Sequence, residues 1–113
     1  MSIKRIEPGA RMSQAVVHGS IAYLAGQVAL GDGVGAQTKA VLDQIDALLA
    51  QAGTDKSKIL TATIYLADIS TFGEMNAVWD KWVSAGNPPA RATVEAKLAT
   101  PDYKVEIVVT AVI

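Results

Sequence analysis

From about Ala36 to Ala52 the apolar residues Val41, Leu42, Ile45, Leu48, Leu49 and Ala52 return at spacings of three and four. Lys39, Asp43, Asp46 and Gln51 fall largely on other faces. That period predicts an amphipathic helix, and Gly53 is placed to stop it in a left-handed C-terminal turn. A second helix is predicted from Ser70, a residue type suited to an N-cap. Phe72, Met75, Val78, Trp79, Trp82 and Val83 form its apolar stripe, and Gly86-Asn87-Pro88-Pro89 its stop. Elsewhere the period shortens to two. Ile3–Pro8 reads as a short strand ended by Pro8-Gly9, and the apolar runs on either side of His18-Gly19-Ser20 read as a hairpin whose second arm ends near Gly26. Residues 58–67 alternate, with Leu60, Ala62, Ile64 and Leu66 on one face and Ile59, Thr61, Thr63 and Tyr65 on the other. Two further strands, residues 90–98 and 103–113, are joined through Thr100-Pro101-Asp102.

The order is therefore βββαβαββ: one α+β domain over residues 1–113, with a mixed sheet and two helices on one of its faces. The final strand is apolar on both sides. Val105, Ile107, Val109, Ala111 and Ile113 line one, and Val108 and Val112 share the other with Glu106. Two helices cover a single sheet face, so the second is expected to meet a partner subunit.

Composition narrows the function classes. The chain has 113 residues, 50% hydrophobic and 19% charged, which is too apolar for disorder. A formal charge of −1 without a run of one sign gives no footprint for nucleic acid or anionic membrane. With no cysteine, disulfides, thiolate metal sites and cysteine nucleophiles are excluded. No leader-like or membrane-length apolar run is present, so the expectation is a soluble cytoplasmic protein.

Five candidates for chemistry stand out. Arg91, Thr93, Glu95 and Lys97 share one face of a strand, a row that is most often a solvated face. Arg91 follows the rigid Asn87-Pro88-Pro89-Ala90, where a guanidinium fork at a pocket mouth suits a carboxylate. Glu106 among valines is either a paired structural carboxylate or a pocket acid. His18, the single histidine, precedes a turn glycine and reads as a turn residue; alone it makes neither a zinc site nor a triad. Gly31-x-Gly33-x-Gly35 lacks the spacing of a phosphate loop and reads as a flexible connection. Trp79 and Trp82, on the apolar stripe, read as core. The residues alone thus define an oligomeric α+β domain with a candidate Arg/Glu pocket.

Residues 87–95, Asn-Pro-Pro-Ala-Arg-Ala-Thr-Val-Glu, followed by Lys104-Val105-Glu106-Ile107, strongly resemble the signature of the Rid (YjgF-like) family, best known for 2-iminobutanoate/2-iminopropanoate deaminases. Ala25-Gly26-Gln27 after a strand, Ala50-Gln51-Ala52-Gly53 closing the first helix, and Leu66-Ala67-Asp68 before the second extend the resemblance over nearly the whole chain. It implies a chorismate-mutase-like fold forming a barrel-like homotrimer, with the pocket between neighbouring subunits. It further implies that Arg91 binds the substrate carboxylate, that Glu106 positions or activates the attacking water, and that backbone groups at Gly26 and Thr93 help hold the ligand. The implied reaction hydrolyses reactive 2-imino acids, formed from 2-aminoacrylate-type enamines, to 2-keto acids and ammonia, with no metal or organic cofactor. The chain departs from the best-known deaminases at three pocket positions: Met12 replaces a tyrosine, Ala25 a serine and Thr93 a cysteine. These departures keep a second reading open, a non-catalytic trimeric binder of small carboxylates. Ribonuclease activity, reported for some relatives, fits poorly with the charge of −1.

Overall fold

The computed structural model describes residues 2–113. Its elements are β1 (Ile3–Pro8), β2 (Ser13–His18), β3 (Ile21–Leu24), α1 (Val34–Ala52), β4 (Ile59–Leu66), α2 (Phe72–Trp82), β5 (Ala90–Glu95) and β6 (Val105–Val112). This is the βββαβαββ order read from the sequence. The six strands form one sheet in the order β1-β2-β3-β6-β4-β5. Neighbours run antiparallel except β4 and β5, which are parallel because α2 carries the chain back between them.

α1 follows its predicted period closely. Val41, Leu42, Ile45, Leu48, Leu49 and Ala52 are all buried, together with Val34, Gln37 and Thr38. Gly53 adopts φ 87°, and its N–H donates to the Ala50 carbonyl while that of Thr54 donates to Leu49. That double closure is a Schellman turn, and a Cβ at φ 87° would be strained. α1 and the inward row of β6 (Val105, Ile107, Val109, Ala111) belong to a single buried cluster with Ala22, Leu24, Ile64 and Leu66. Each fully buried Leu or Ile contributes roughly 1.5–3 kcal/mol, so this layer is the main source of stability.

Three expectations need correction. In β4 the register slips between Ile59 and Thr61, so Ile59 rather than Leu60 faces the core, and Leu60 is exposed. A bulge adds one residue and reverses the alternation beyond it. α2 starts at Phe72, not Ser70, because the Asp68 carboxylate accepts from the Ser70 N–H at 2.9 Å and caps a preceding 3-10 turn, Ile69–Thr71. It also ends earlier, at Trp82. Finally, the polar row of β5 is not the solvated face. Arg91, Thr93 and Glu95 lie opposite Ala62, Ile64 and Leu66, on the helix side, while Ala92 and Val94 are exposed on the helix-free side.

The helix-free side carries Tyr23 and Val94 exposed, Val108 and Val112 half-buried, and a Thr61–Thr110 hydroxyl contact of 2.6 Å. The sequence-based expectation of an uncovered apolar face therefore matches the chain as it stands. Among the described residues no helix is long and apolar enough to cross a membrane.

Candidate functional site

Glu106 is positioned by main-chain bonds. After β3 the chain passes through Ala25 and Gly26 to Gln27, which bridges Ile107 in both directions: the Gln27 N–H donates to the Ile107 carbonyl at 2.9 Å and the Ile107 N–H to Gln27 at 3.1 Å. The Gln27 side chain is buried, its amide donating to Gln14 Oε1 and to the Ala25 carbonyl. Gly26 is thereby pressed against Glu106. A Cβ at Gly26 would stand 2.2 Å from Glu106 Oε2 and 2.9 Å from Cδ. The glycine is required here by close approach, not by an unusual φ.

From the other end, Gln37 of α1 sets where β6 begins. Its amide donates to the carbonyls of Gly31 (3.1 Å) and Asp102 (2.8 Å), and its Oε1 accepts the Lys104 N–H at 2.7 Å. One buried side chain therefore ties the glycine loop, α1 and the entry to β6 together. Sequence reading missed Gln37, since a polar residue on an apolar stripe reads as a surface position until its partners are seen.

A cleft of ≈460 Å³ opens beside Gly26 and is lined also by Met12, Gln14, Gln27 and Gln44. Met12 and Gly26 both line this cleft together with Ala47 and Leu48 of α1, but Glu106 does not line it; Ala25, next to Gly26, is half-buried. Met12 is itself exposed.

Arg91 and Thr93 lie elsewhere. The Arg91 guanidinium sits over two aromatic rings of α2, its Cζ 5.2 Å from the Trp79 centroid and 5.8 Å from that of Phe72. Two residues along, Thr93 Oγ1 is buried without a hydrogen-bond partner. Asn76 Oδ1 is in the same condition, and Asn76 stands on α2 between Phe72 and Trp79 at i+4 and i−3 spacing. A buried polar atom is ordinarily hydrogen-bonded, so both atoms call for a partner beyond the described residues, whether water, a ligand or a neighbouring chain. Asn76 is a second residue that sequence reading did not single out.

Arg91 and Glu106 do not meet within the chain. Arg91 pairs with Ala62 on the helix face, whereas Glu106 pairs with Tyr65 on the opposite face. Among the described residues the one ion pair is Lys39–Asp43, so neither Arg91 nor Glu106 is neutralised by its own chain.

The remaining candidates keep their structural roles. His18 is exposed at the β2–β3 turn, where Gly19 takes φ 61°. The start of α1 is no open anion site, because Glu74 of α2 already accepts the Gly35 N–H at 3.1 Å. Trp79 is buried and Trp82 packs against the core. Among the described residues no three His, Asp or Glu side chains converge as a metal set. Asp68 and Asp55 both have carboxyls held below the ordinary range, first of all by side-chain hydrogen bonds from Ser70 and Ser57.

The molecule is thus a helix-backed mixed α+β sheet, with a glycine-cradled glutamate on one side and an aromatic-backed arginine on the other. The family model described as Endoribonuclease L-PSP matches residues 2–113. A RutC family protein of Haemophilus influenzae is 52% identical over 98% of both chains. The crystal structure of a YjgF-family member from Neisseria meningitidis superposes with a TM-score of 0.97 at 48% identity, covering 99% of this chain and 95% of that one. A Rid-family structure from Yersinia pestis gives 0.92 at 31% identity, covering 99% of this chain and all of the other. The chain belongs to the Rid family, the group also carrying the YjgF, RutC and L-PSP names.

Proposed function

We propose that the chain is an imine deaminase, hydrolysing 2-imino acids to 2-keto acids and ammonia in clefts between copies of itself assembled as a homotrimer. The observation that carries the reading is the separation of Arg91 and Glu106 onto opposite sheet faces, each without an ionic partner among the described residues. A cleft built from the Arg91 side of one copy and the Gly26–Glu106 side of the next unites them. It also covers the exposed apolar side of the sheet.

In that cleft Arg91 takes the substrate carboxylate through its N–H fork, fixing the imine carbon beside a water held by Glu106. Glu106 accepts the water proton as oxygen bonds to the imine carbon, giving a carbinolamine. Glu106 returns that proton to nitrogen, the hydroxyl proton follows as the C=O bond forms and the C–N bond breaks, and ammonia leaves with the 2-keto acid. Imines hydrolyse unaided in water, so placement with modest proton transfer suffices.

A second reading is favoured by Met12, which puts a thioether on the cleft wall beside Gly26, and by the neighbouring half-buried Ala25, which offers no hydroxyl. Under it the protein binds 2-keto acids without turnover. The word endoribonuclease in the family model's description raises RNA cleavage, but a formal charge of −1 supplies no electrostatic footprint for RNA.

The deciding experiment generates 2-aminoacrylate in situ with a serine dehydratase and follows pyruvate release with wild type and Arg91→Ala. Acceleration by wild type alone is expected. Equal acceleration by Arg91→Ala would overturn the carboxylate-anchor role, and pyruvate binding without acceleration would establish the binding-protein reading.

A further inference from the structure

A carboxylate anchor must present its N–H edge to the ligand, and a long flexible side chain does not do so unaided. Arginines in binding sites are commonly steadied by a neighbouring acid. Among the described residues Arg91 has none. What it has is the pair of α2 rings, Trp79 at 5.2 Å and Phe72 at 5.8 Å, both within the range of cation–π attraction.

The rings are themselves held. Trp79 is buried and packs against Trp82, with centroids 5.3 Å apart and planes inclined at 54°. The Trp82 indole N–H donates to Asp46 Oδ2 of α1 at 2.9 Å, and Lys56 Nζ sits over the same ring at 5.3 Å. A chain of contacts therefore runs from α1 through two indoles to the guanidinium on β5.

We propose that Phe72 and Trp79 are positioning residues that hold the Arg91 guanidinium through its π face and leave its N–H edge free for both oxygens of a carboxylate. The inference rests on the deaminase reading and adds which residues orient its anchor. The use of rings in place of an acid has a chemical reason. A protein carboxylate beside Arg91 would occupy the same fork and cancel the same charge that the substrate needs, whereas a ring attracts the cation without consuming an N–H. Phe72 is the member to test, because it is 39% exposed and its truncation leaves the core in place, while Trp79 is part of that core.

The experiment compares wild type, Phe72→Leu, Phe72→Tyr and Arg91→Ala. It measures KM and kcat for imine hydrolysis, pyruvate affinity by calorimetry, and the Arg91 Nε–H resonance, which lies in the ring currents of both aromatics. Phe72→Leu is expected to raise KM and the pyruvate Kd about two- to fivefold, with a smaller change in kcat. It should also move the Arg91 resonance downfield, and Phe72→Tyr should restore all three readouts. An unmoved Kd and resonance in Phe72→Leu, or no restoration by Phe72→Tyr, would overturn the proposal. Wild type that neither binds pyruvate nor hydrolyses the imine would sink the deaminase reading instead, and the Arg91 resonance would still report whether the rings hold the cation.

Discussion

Replacing Gly26 by alanine should damage catalysis far more than folding. The new Cβ would stand 2.2 Å from Glu106 Oε2, while ordinary contact begins at 3.4 Å. The carboxylate must therefore retreat by about 1.2 Å or rotate away. Because the atoms met are the far end of a half-exposed side chain, the retreat is cheap for the fold, about 1 kcal/mol, or roughly 4 °C in Tm for a domain this size. It is costly for a group that must hold a water against an imine carbon. A displacement of ~1 Å at a reacting centre lowers rates by up to about 100-fold, so kcat should fall by roughly 10- to 100-fold, or ~1.4–2.7 kcal/mol of barrier. KM should change little, since Arg91 stands on the other sheet face. The assay is pyruvate release from 2-aminoacrylate, run with thermal melts of each variant. A cycle with Glu106→Gln isolates the cause: once the carboxylate is gone, Gly26→Ala should cost almost nothing more. An equal loss in both backgrounds would refute the argument that the glycine acts through Glu106, and full activity in Gly26→Ala would refute the need for the glutamate's placement.

Three further outcomes follow from the structure. Val94→Lys puts a charge on the helix-free face and should shift the mass in light scattering from about 35 kDa, three times the 11.8 kDa chain, toward a single copy; an unchanged mass would show that this face is not the interface. Thr93→Val removes a buried hydroxyl that has no partner in the free chain, so denaturant unfolding should show equal or greater stability, by up to about 1 kcal/mol, and a loss of several kcal/mol would mean the hydroxyl is satisfied. The Asp68 carboxyl lies below its ordinary value of 3.8 because the Ser70 hydroxyl and N–H bond its ionised form. Its stabilisation is thus complete above about pH 4 and lost as the pH falls through the lowered value, so Asp68→Asn should flatten the acid limb of a stability–pH curve and leave its slope near neutrality unchanged.

What was legible in the sequence, and what was not, divides along physical lines. α1 was readable to within two residues because five large aliphatic residues share one stripe and Gly53 has the single backbone geometry that ends it. β6 was readable because its alternation has no interruption. β4 was misread at its start because a bulge is a property of two strands: Leu60 is exposed through its register with β6, which β4 alone does not encode. The polar row of β5 failed for a related reason. Alternation assigns residues to two faces without saying which face meets the helices, and the half-buried Arg91 lies against the rings of α2, a contact that no spacing within β5 records. At the site, Arg91 and Glu106 stand out from their sequence surroundings and take their roles from the motif resemblance, which alone points to Gly26 and Met12. Asn76 and Gln37 emerged only once their surroundings were known, because what distinguishes them is a missing partner in one case and three partners in the other.

The place of β6 in the sheet has a kinetic consequence. It bonds to β3 on one side and β4 on the other, so without it the sheet separates into a three-stranded piece and a two-stranded piece. Its pairing with β3 joins Ile21 to Val112, and closing a loop of that length costs about 4 kcal/mol of chain entropy before any contact repays it. Folding should therefore wait on the insertion of this one strand. In native-state hydrogen exchange the β6 amides should open only with the whole molecule, while those of the outer strand β1 exchange through local fraying. Glu106 rides on that strand. A fluctuation large enough to carry its backbone out of place is then the same event as global unfolding, and its frequency is set by the stability of the entire domain.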